Sequence, residues 1–386
     1  MSCFSLCNIR FHAFINLSIL FLIADMHSHA QRFAVIGDFG SADENERHVA
    51  ELVKSWKPDF IITTGDNNYS EGSFESMDSC IGQFYSEYIY PYHGSFKQGN
   101  ATYNRFFPSL GNHDVTSENL QLYCDYFTLP GNERYYDFVT GQIHFFVLNS
   151  NISEPDGTEA SSEQGAWLRR NLKKSASRWK IVYFHHPPFS SGYHGSSSYM
   201  RWPFDRWGAD AVICGHEHSY ERLQIGAIPY FVNGCGGACL RSFTDTLDES
   251  RVRYCDDFGA QLVDAYQDSM VFCHININDS LIDRYVLIHN PVYNTNVNEF
   301  PSSEEPAIYP NPFSQSANIQ FSLYHTSDIQ IKAYNTVGEM VDVITEQRLS
   351  PGSYSIEWKN SRLKPGIYYL IITCNRFARS FRVLKL

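Results

Sequence analysis

The chain has 386 residues, of which 43% are hydrophobic and 19% charged, with a formal net charge of -12. That length suits one large domain plus a small one, each able to bury a core. An acidic balance with no block of Lys or Arg excludes nucleic acid and anionic membrane as partners, because both demand a basic surface.

Residues 1–30 differ from everything that follows. Arg10 precedes an apolar run from Phe14 to Ala24, and small residues end it at Ala30, the pattern of a cleaved export signal. The run is too short to span a bilayer, a retained anchor helix being the alternative, so the mature protein is expected to begin at Gln31. Ten cysteines are present, Cys3 and Cys7 lying inside the signal. Export into an oxidising compartment makes some disulfides expected, and Cys235, Cys239 and Cys255 are near enough in sequence to contain one pair. None has the Cys-x-x-Cys spacing of a zinc or redox site.

From Arg32 the pattern is strand then helix. "RFAVIGD" is a short apolar run ending in Asp38. "SADENERHVAELVKSW" then reads as an amphipathic helix, with Ser41 and Glu44 in capping-box spacing. "DFIITTGD", "GQIHFFVLN", "WKIVYFHH" and "DAVICGH" repeat the apolar run that stops at a polar residue. "SSEQGAWLRRNLKKS" is a second helix, opened by Ser161 with Gln164 three residues on. Continuous apolar strands imply sheets covered on both faces, hence a layered α/β domain over residues 31–290 with its polar residues gathered at strand ends. Residues 291–306, rich in Pro, Asn, Ser and Glu, read as a linker. Beyond them, residues 307–386 alternate with period two between Gly, Pro and Asn turns, as a small all-β sandwich does.

Five strand ends carry metal-ligand chemistry: "GDFG" with Asp38, "GDNNY" with Asp66 and Tyr69, "GNHD" with Asn112, His113 and Asp114, "YFHHPP" with His185 and His186, and "GHEH" with His216 and His218. Each alone is an ordinary turn or a satisfied polar residue. Together they fit a dinuclear site, where two cations need a shared anionic oxygen and several oxygen and imidazole donors. A strand-end carboxylate flanked by a glycine is suited to bridge.

The motif set Gly37 to Gly40, Gly65 to Tyr69, Gly111 to Asp114, Val182 to His185 and Gly215 to His218 resembles the purple acid phosphatases, the tartrate-resistant type included, within the calcineurin-like metallophosphoesterases. "HSYER" and "FVNGCGG" agree further, and the resemblance covers Arg32 to Ile288. It implies a four-layer α/β/β/α sandwich. One metal would be held by Asp38, Asp66, Tyr69 and His218, the other by Asp66, Asn112, His185 and His216, with Asp66 as bridge. The wider group has a histidine two residues after the first aspartate, where this chain has Gly40; Tyr69 replaces that ligand. A phenolate favours trivalent iron, so the expected pair is Fe(III) with Fe(II), Zn or Mn. Such ions activate water below neutral pH and stabilise an in-line transition state. His113 with Asp114 resembles the general-acid dyad, an orienting role for His113 being the alternative. His186 and His194 look like substrate-pocket residues, or else ordinary polar loop residues, and loops 72–98 and 190–198 would set specificity.

In the tail, "IYPNPF", "VGEMVDVI", "LKPGIYYLII" and the basic end "FRVLKL" resemble the C-terminal sorting domain of type IX secretion, with an adhesive or carbohydrate-binding sandwich as the alternative. The expected protein is a secreted or surface-held acid phosphatase acting on small phosphorylated substrates. It engages the export and outer-membrane secretion machinery. A phosphodiesterase or nucleotidase on the same centre, and a non-catalytic surface binding protein, are the competing readings. The oligomeric state is not legible.

Overall fold

A computed structural model describes residues 30–69, 74–96, 101–115, 119–288, 306–323, 326–374 and 377–386. Almost all of the expected signal and of the expected linker lies outside them.

Two sheets dominate the larger part. The first contains β1 (Gln31–Ile36), β2 (Phe60–Thr63), β3 (Phe106–Pro108), β11 (Gly259–Ala265), β12 (Ser269–Asn276) and β13 (Leu281–Ile288), in the order β13-β12-β11-β1-β2-β3. The second contains β4 (Tyr136–Thr140), β5 (Ile143–Val147), β6 (Trp179–Tyr183), β7 (Ala211–Cys214), β8 (Tyr220–Ile225), β9 (Ile228–Asn233) and β10 (Ser250–Tyr254), in the order β10-β8-β9-β7-β6-β5-β4. β1, β2 and β3 are parallel to one another, and so are β5, β6, β7 and β9.

Period two explains why these strands are apolar throughout. Phe145, Ile181, Tyr183 and Ile213 point into a core shared with Phe33, Phe60 and Phe272 of the first sheet. Their neighbours Phe146, Val182, Phe184, Val212 and Cys214 point the other way, against Leu168 and Leu172 of the helix Glu163–Lys174. Aromatic packing locks the two sheets together: Phe33, stacked on Phe60 of its own sheet at 5.1 Å, meets Phe145 edge-on at 5.2 Å, and Phe138 stacks on Phe107 at 3.9 Å. With the helix Glu44–Ser55 packed against β11 of the first sheet, the layers are the α/β/β/α sandwich expected.

Helix starts depart from the expected caps. Asp43, not Ser41, caps the first helix, accepting from the Asn45 and Glu46 amides at 2.9 and 3.1 Å. Ser162, not Ser161, caps the second, accepting from the Gly165 amide at 3.1 Å. Gln164 turns inward instead, and its amide holds both the N–H and the carbonyl of Asn149. Each shift is a register choice made by the buried face of the helix.

The tail forms two antiparallel sheets. One holds β14 (Ala307–Tyr309), β15 (Ala317–Leu323) and β18 (Gly352–Trp358); the other holds β16 (Ser327–Tyr334), β17 (Met340–Leu349), β19 (Gly366–Cys374) and β20 (Phe377–Lys385). Their inward residues, among them Phe313, Ile319, Ile331, Trp358, Leu370 and Val383, make a separate apolar core. The eight cysteines among the described residues are all free thiols, so the expected pairing within Cys235, Cys239 and Cys255 does not occur.

Candidate metal centre

All five motifs leave the carboxyl ends of parallel strands, β1, β2 and β3 from one sheet and β6 and β7 from the other. Their loops are sewn together by backbone: the Asp38 amide donates to the Gly65 carbonyl at 3.1 Å, the Gly215 amide to that of His185 at 2.9 Å, and the Tyr69 amide to that of Gly40 at 2.7 Å.

Asp38, Asp66 and His216 have φ of 55°, 53° and 70°, left-handed values uncommon outside glycine. Such backbone persists where the surroundings over-determine it, and here it turns three donors toward one point. Gly40 answers the missing-histidine question directly. A Cβ there would lie 2.1 Å from the Asn67 carbonyl oxygen, so a side chain would expel the loop that carries Tyr69. The glycine and the tyrosine are one arrangement.

The donors converge. The Tyr69 hydroxyl donates to Asp38 Oδ1 at 3.2 Å and lies 3.2 Å from His218 Nε2. His185 Nε2 lies 3.0 Å from Asn112 Oδ1, 3.2 Å from His216 Nδ1 and 3.4 Å from Asp66 Oδ2. His185 Nδ1 donates to the Thr64 carbonyl at 2.8 Å and His218 Nδ1 to that of Cys239 at 2.6 Å. These bonds fix the orientation of each ring and aim each Nε2 at the acids, a device common to metal-binding histidines.

Electrostatics reports what this cluster needs. Asp38 is fully buried and Asp66 is 2% exposed. Burial pushes the Asp38 carboxyl up, as does the charge of Asp66, against the opposing charge of His185. For His185 burial works to lower the pKa, but the charges of Asp66 and Asp38 outweigh it and hold the imidazole at about 9. Burial, with the charges of the same two acids, holds the Tyr69 phenol far above its usual range. Burial lowers His218 to about 4, which keeps its donor atom unprotonated at neutral pH. Buried acids that draw positive charge onto the nearest imidazole are a setting that cations suit. The hard oxygen and imidazole set fits iron, zinc or manganese.

The remaining sequence-expected residues divide. His113 stands exposed at the rim, its ring 4.6 Å from that of Tyr69 and its amide donating to Asp66 Oδ1 at 3.0 Å. Asp114 is buried and its carboxylate binds the Gly111 amide at 2.8 Å and the Asn67 side chain at 2.8 Å, clamping the two loops. His194 packs its ring 4.4 Å from that of His216, with Nδ1 3.6 Å from Glu217 Oε2. His186 bonds Ser150 Oγ through Nδ1 at 2.9 Å and packs 4.5 Å from the His216 ring.

A cavity of about 370 Å³ opens over the cluster, lined by Asp66, Tyr69, Asn112, His113, His194, His216 and His218, and also by Ser41, Asp43, Ala238, Cys239 and Arg241. His186 does not line it, nor does any described residue of 72–98; that segment's described part is largely helical. Sequence reasoning missed Cys239 and Arg241. They lie in a loop with no strand pattern and no motif, and only the folded chain brings them beside His218.

Comparison with known proteins follows the same lines. A family model described as calcineurin-like phosphoesterase matches residues 20–220, and one described as a secretion system C-terminal sorting domain matches residues 307–382. Purple acid phosphatase 15 of Arabidopsis thaliana is 27% identical over 245 residues, 55% of this chain and 44% of that protein. Tartrate-resistant acid phosphatase type 5 of Homo sapiens is 22% identical over 255 residues, 55% of this chain and 75% of that one. The matched segment thus spans about half the length of the first relative. Among solved structures, a purple acid phosphatase from yellow lupin (Lupinus luteus) seeds aligns with TM-score 0.55 at 16% identity, covering 67% of this chain and 54% of that one. GAP50, described as the anchor in the inner membrane complex of Plasmodium, aligns with TM-score 0.56 at 18% identity, covering 68% and 89%. At such identities the structural likeness is one of fold.

Proposed function

The chain belongs to the calcineurin-like phosphoesterase family, and on that premise we propose that it is an acid phosphatase hydrolysing phosphate monoesters at a two-metal centre. Its C-terminal sorting domain marks it for type IX export to the cell surface or beyond. The observation that carries the proposal is the convergence of seven polar side chains, with the imidazoles of His185 and His218 held from behind by carbonyl oxygens.

Asp38, Asp66, Tyr69 and His218 would hold one metal, and Asp66, Asn112, His185 and His216 the other. The Tyr69 phenol favours Fe(III) at the first, with Fe(II), Zn or Mn at the second. When bound, the pair supplies charge for the phosphoryl oxygens and an acidified water. The protein does the rest. Asp66 reaches toward both donor sets and, through the His113 amide, fixes the rim. Carbonyl oxygens of Thr64 and Cys239 keep His185 and His218 aimed. Asp114 ties the Asn67 and Gly111 loops, so that His113 is held at the cavity mouth, where it can give a proton to a departing alkoxide. His194 faces the substrate from the cavity wall, and His186 supports His216 through ring packing.

The test is direct. Purified protein is assayed on an aryl phosphate and on the corresponding bis-aryl ester, with metal analysis and a visible spectrum. Preference for the monoester by at least about a hundredfold, loss of turnover in Asp66→Asn, and a visible band that vanishes in Tyr69→Phe are expected. Preference for the diester would replace the monoesterase reading. Absence of turnover with Asp66→Asn binding phosphate as wild type does would leave a binding protein.

A further inference from the structure

We propose that Arg241, backed by Tyr193, forms an anion subsite beside the metal centre, so that the phosphomonoesters best used by this protein carry a second anionic group on their leaving side. The inference rests on the monoesterase reading and extends it to substrate class.

Of the described residues lining the cavity, Arg241 is the single Arg or Lys. It stands in an acidic chain, where a lone cation in a cavity needs a reason. Its position is built rather than incidental. The Arg241 amide donates to the His218 carbonyl at 3.0 Å, two residues after the Cys239 carbonyl that accepts from His218 Nδ1. One short segment therefore aims the imidazole and places the guanidinium. The guanidinium carbon sits 5.0 Å from the centroid of the Tyr193 ring, a cation–π contact that orients the planar fork. Tyr193 is 59% exposed and precedes His194, whose ring packs on His216.

No carboxylate among the described residues pairs with this arginine. Asp43, also on the cavity wall, is engaged at the helix start by the Asn45 and Glu46 amides, and Glu217 lies 3.6 Å from His194. Arg241 Nε is buried with no hydrogen-bond partner among the described residues. A guanidinium with no carboxylate partner offers a fork of N–H donors that a carboxylate or phosphate in the cavity can match with two parallel bonds. The cavity, at about 370 Å³, has room for a leaving group beyond the phosphoryl moiety over the donors.

Wild type, Arg241→Met and Arg241→Lys, each matched in metal content and thermal midpoint, are compared on phenyl phosphate and para-carboxyphenyl phosphate. Arg241→Met is expected to raise KM for the carboxylated ester roughly tenfold with little change in kcat, and to leave phenyl phosphate within about twofold. Arg241→Lys, which keeps the charge and loses the fork, falls between. Equal losses on both esters would overturn the proposal, since the arginine would then act on the common phosphoryl group or on the fold. So would equal retention of both. If wild type turns over neither ester, the phosphatase reading fails separately. Calorimetric binding of pyrophosphate against orthophosphate then decides the subsite: a wild-type preference for pyrophosphate that Arg241→Met abolishes upholds it, and an unchanged or absent preference overturns it.

Discussion

Gly40 and the loop that carries Tyr69 are packed so closely that the one fixes the other. The distance decides the matter: a Cβ at residue 40 would meet the Asn67 carbonyl oxygen at 2.1 Å and the Asn68 nitrogen at 2.4 Å, and backbone on both sides leaves little room to yield. Gly40→Ala is therefore expected to push the 66–69 loop away, lowering metal occupancy and destabilising the fold by about 1–3 kcal/mol. Elemental analysis and urea titration measure both. Full occupancy with an unchanged midpoint would mean that the loop moves without cost and that Tyr69 is not tied to Gly40. Asp66 follows the same logic, since its left-handed backbone and its tie to the His113 amide make it part of the scaffold as well as a donor.

At the scale of elements, the strand ends were the legible part and the helix starts were not. A strand that stops at Gly-Asp or Gly-His exposes its chemistry in the string itself, because the apolar run ends where the layer ends. Caps depend on which turn the buried face selects, and so Asp43 and Ser162 displaced the expected serines. β12 carries a residue that no motif announced. His274 is fully buried, stacked at 3.9 Å on Tyr220 of the opposing sheet, and burial lowers its pKa from 6.5 to about 3. Unfolded, it takes up a proton below about pH 6.5, while the folded protein refuses one until about pH 3, so stability must fall as pH drops through that window. His274→Phe, which keeps the stack, is expected to flatten the pH dependence of the thermal midpoint between those limits. An identical slope in the variant would show that other groups carry the acid sensitivity. For a protein proposed to work in acid, this is a cost built into the interface between the sheets.

The whole molecule has a two-sheet sandwich and a β-rich tail with its own core. Among the described residues Asp38, Asp66 and Asp114 are buried, Asp66 within reach of the charge of each of the other two. Cations there would bind the folded form alone, so stripping them with a chelator is expected to lower the thermal midpoint. The loss would be about 2.7 kcal/mol for each ion held at a hundred times its Kd. Calorimetry before and after stripping, with elemental analysis, measures the loss. An unchanged midpoint in fully stripped protein would show that the cluster is stable through hydrogen bonds alone.

By itself the sequence determined the layered fold, the β-rich tail and the polar strand-end residues that the fold gathers, because apolar period and strand-end punctuation are local properties of a chain. Tertiary structure decided what local pattern cannot carry. It set which sheet faces which, which carbonyls hold His185 and His218, why residue 40 has no side chain, and that the eight described cysteines stay as thiols. It also brought Arg241 to the cavity beside His218, from a loop whose sequence has no periodicity to read. Distances between residues far apart in the chain are fixed by how the two sheets pack, and those distances are what the site's chemistry depends on.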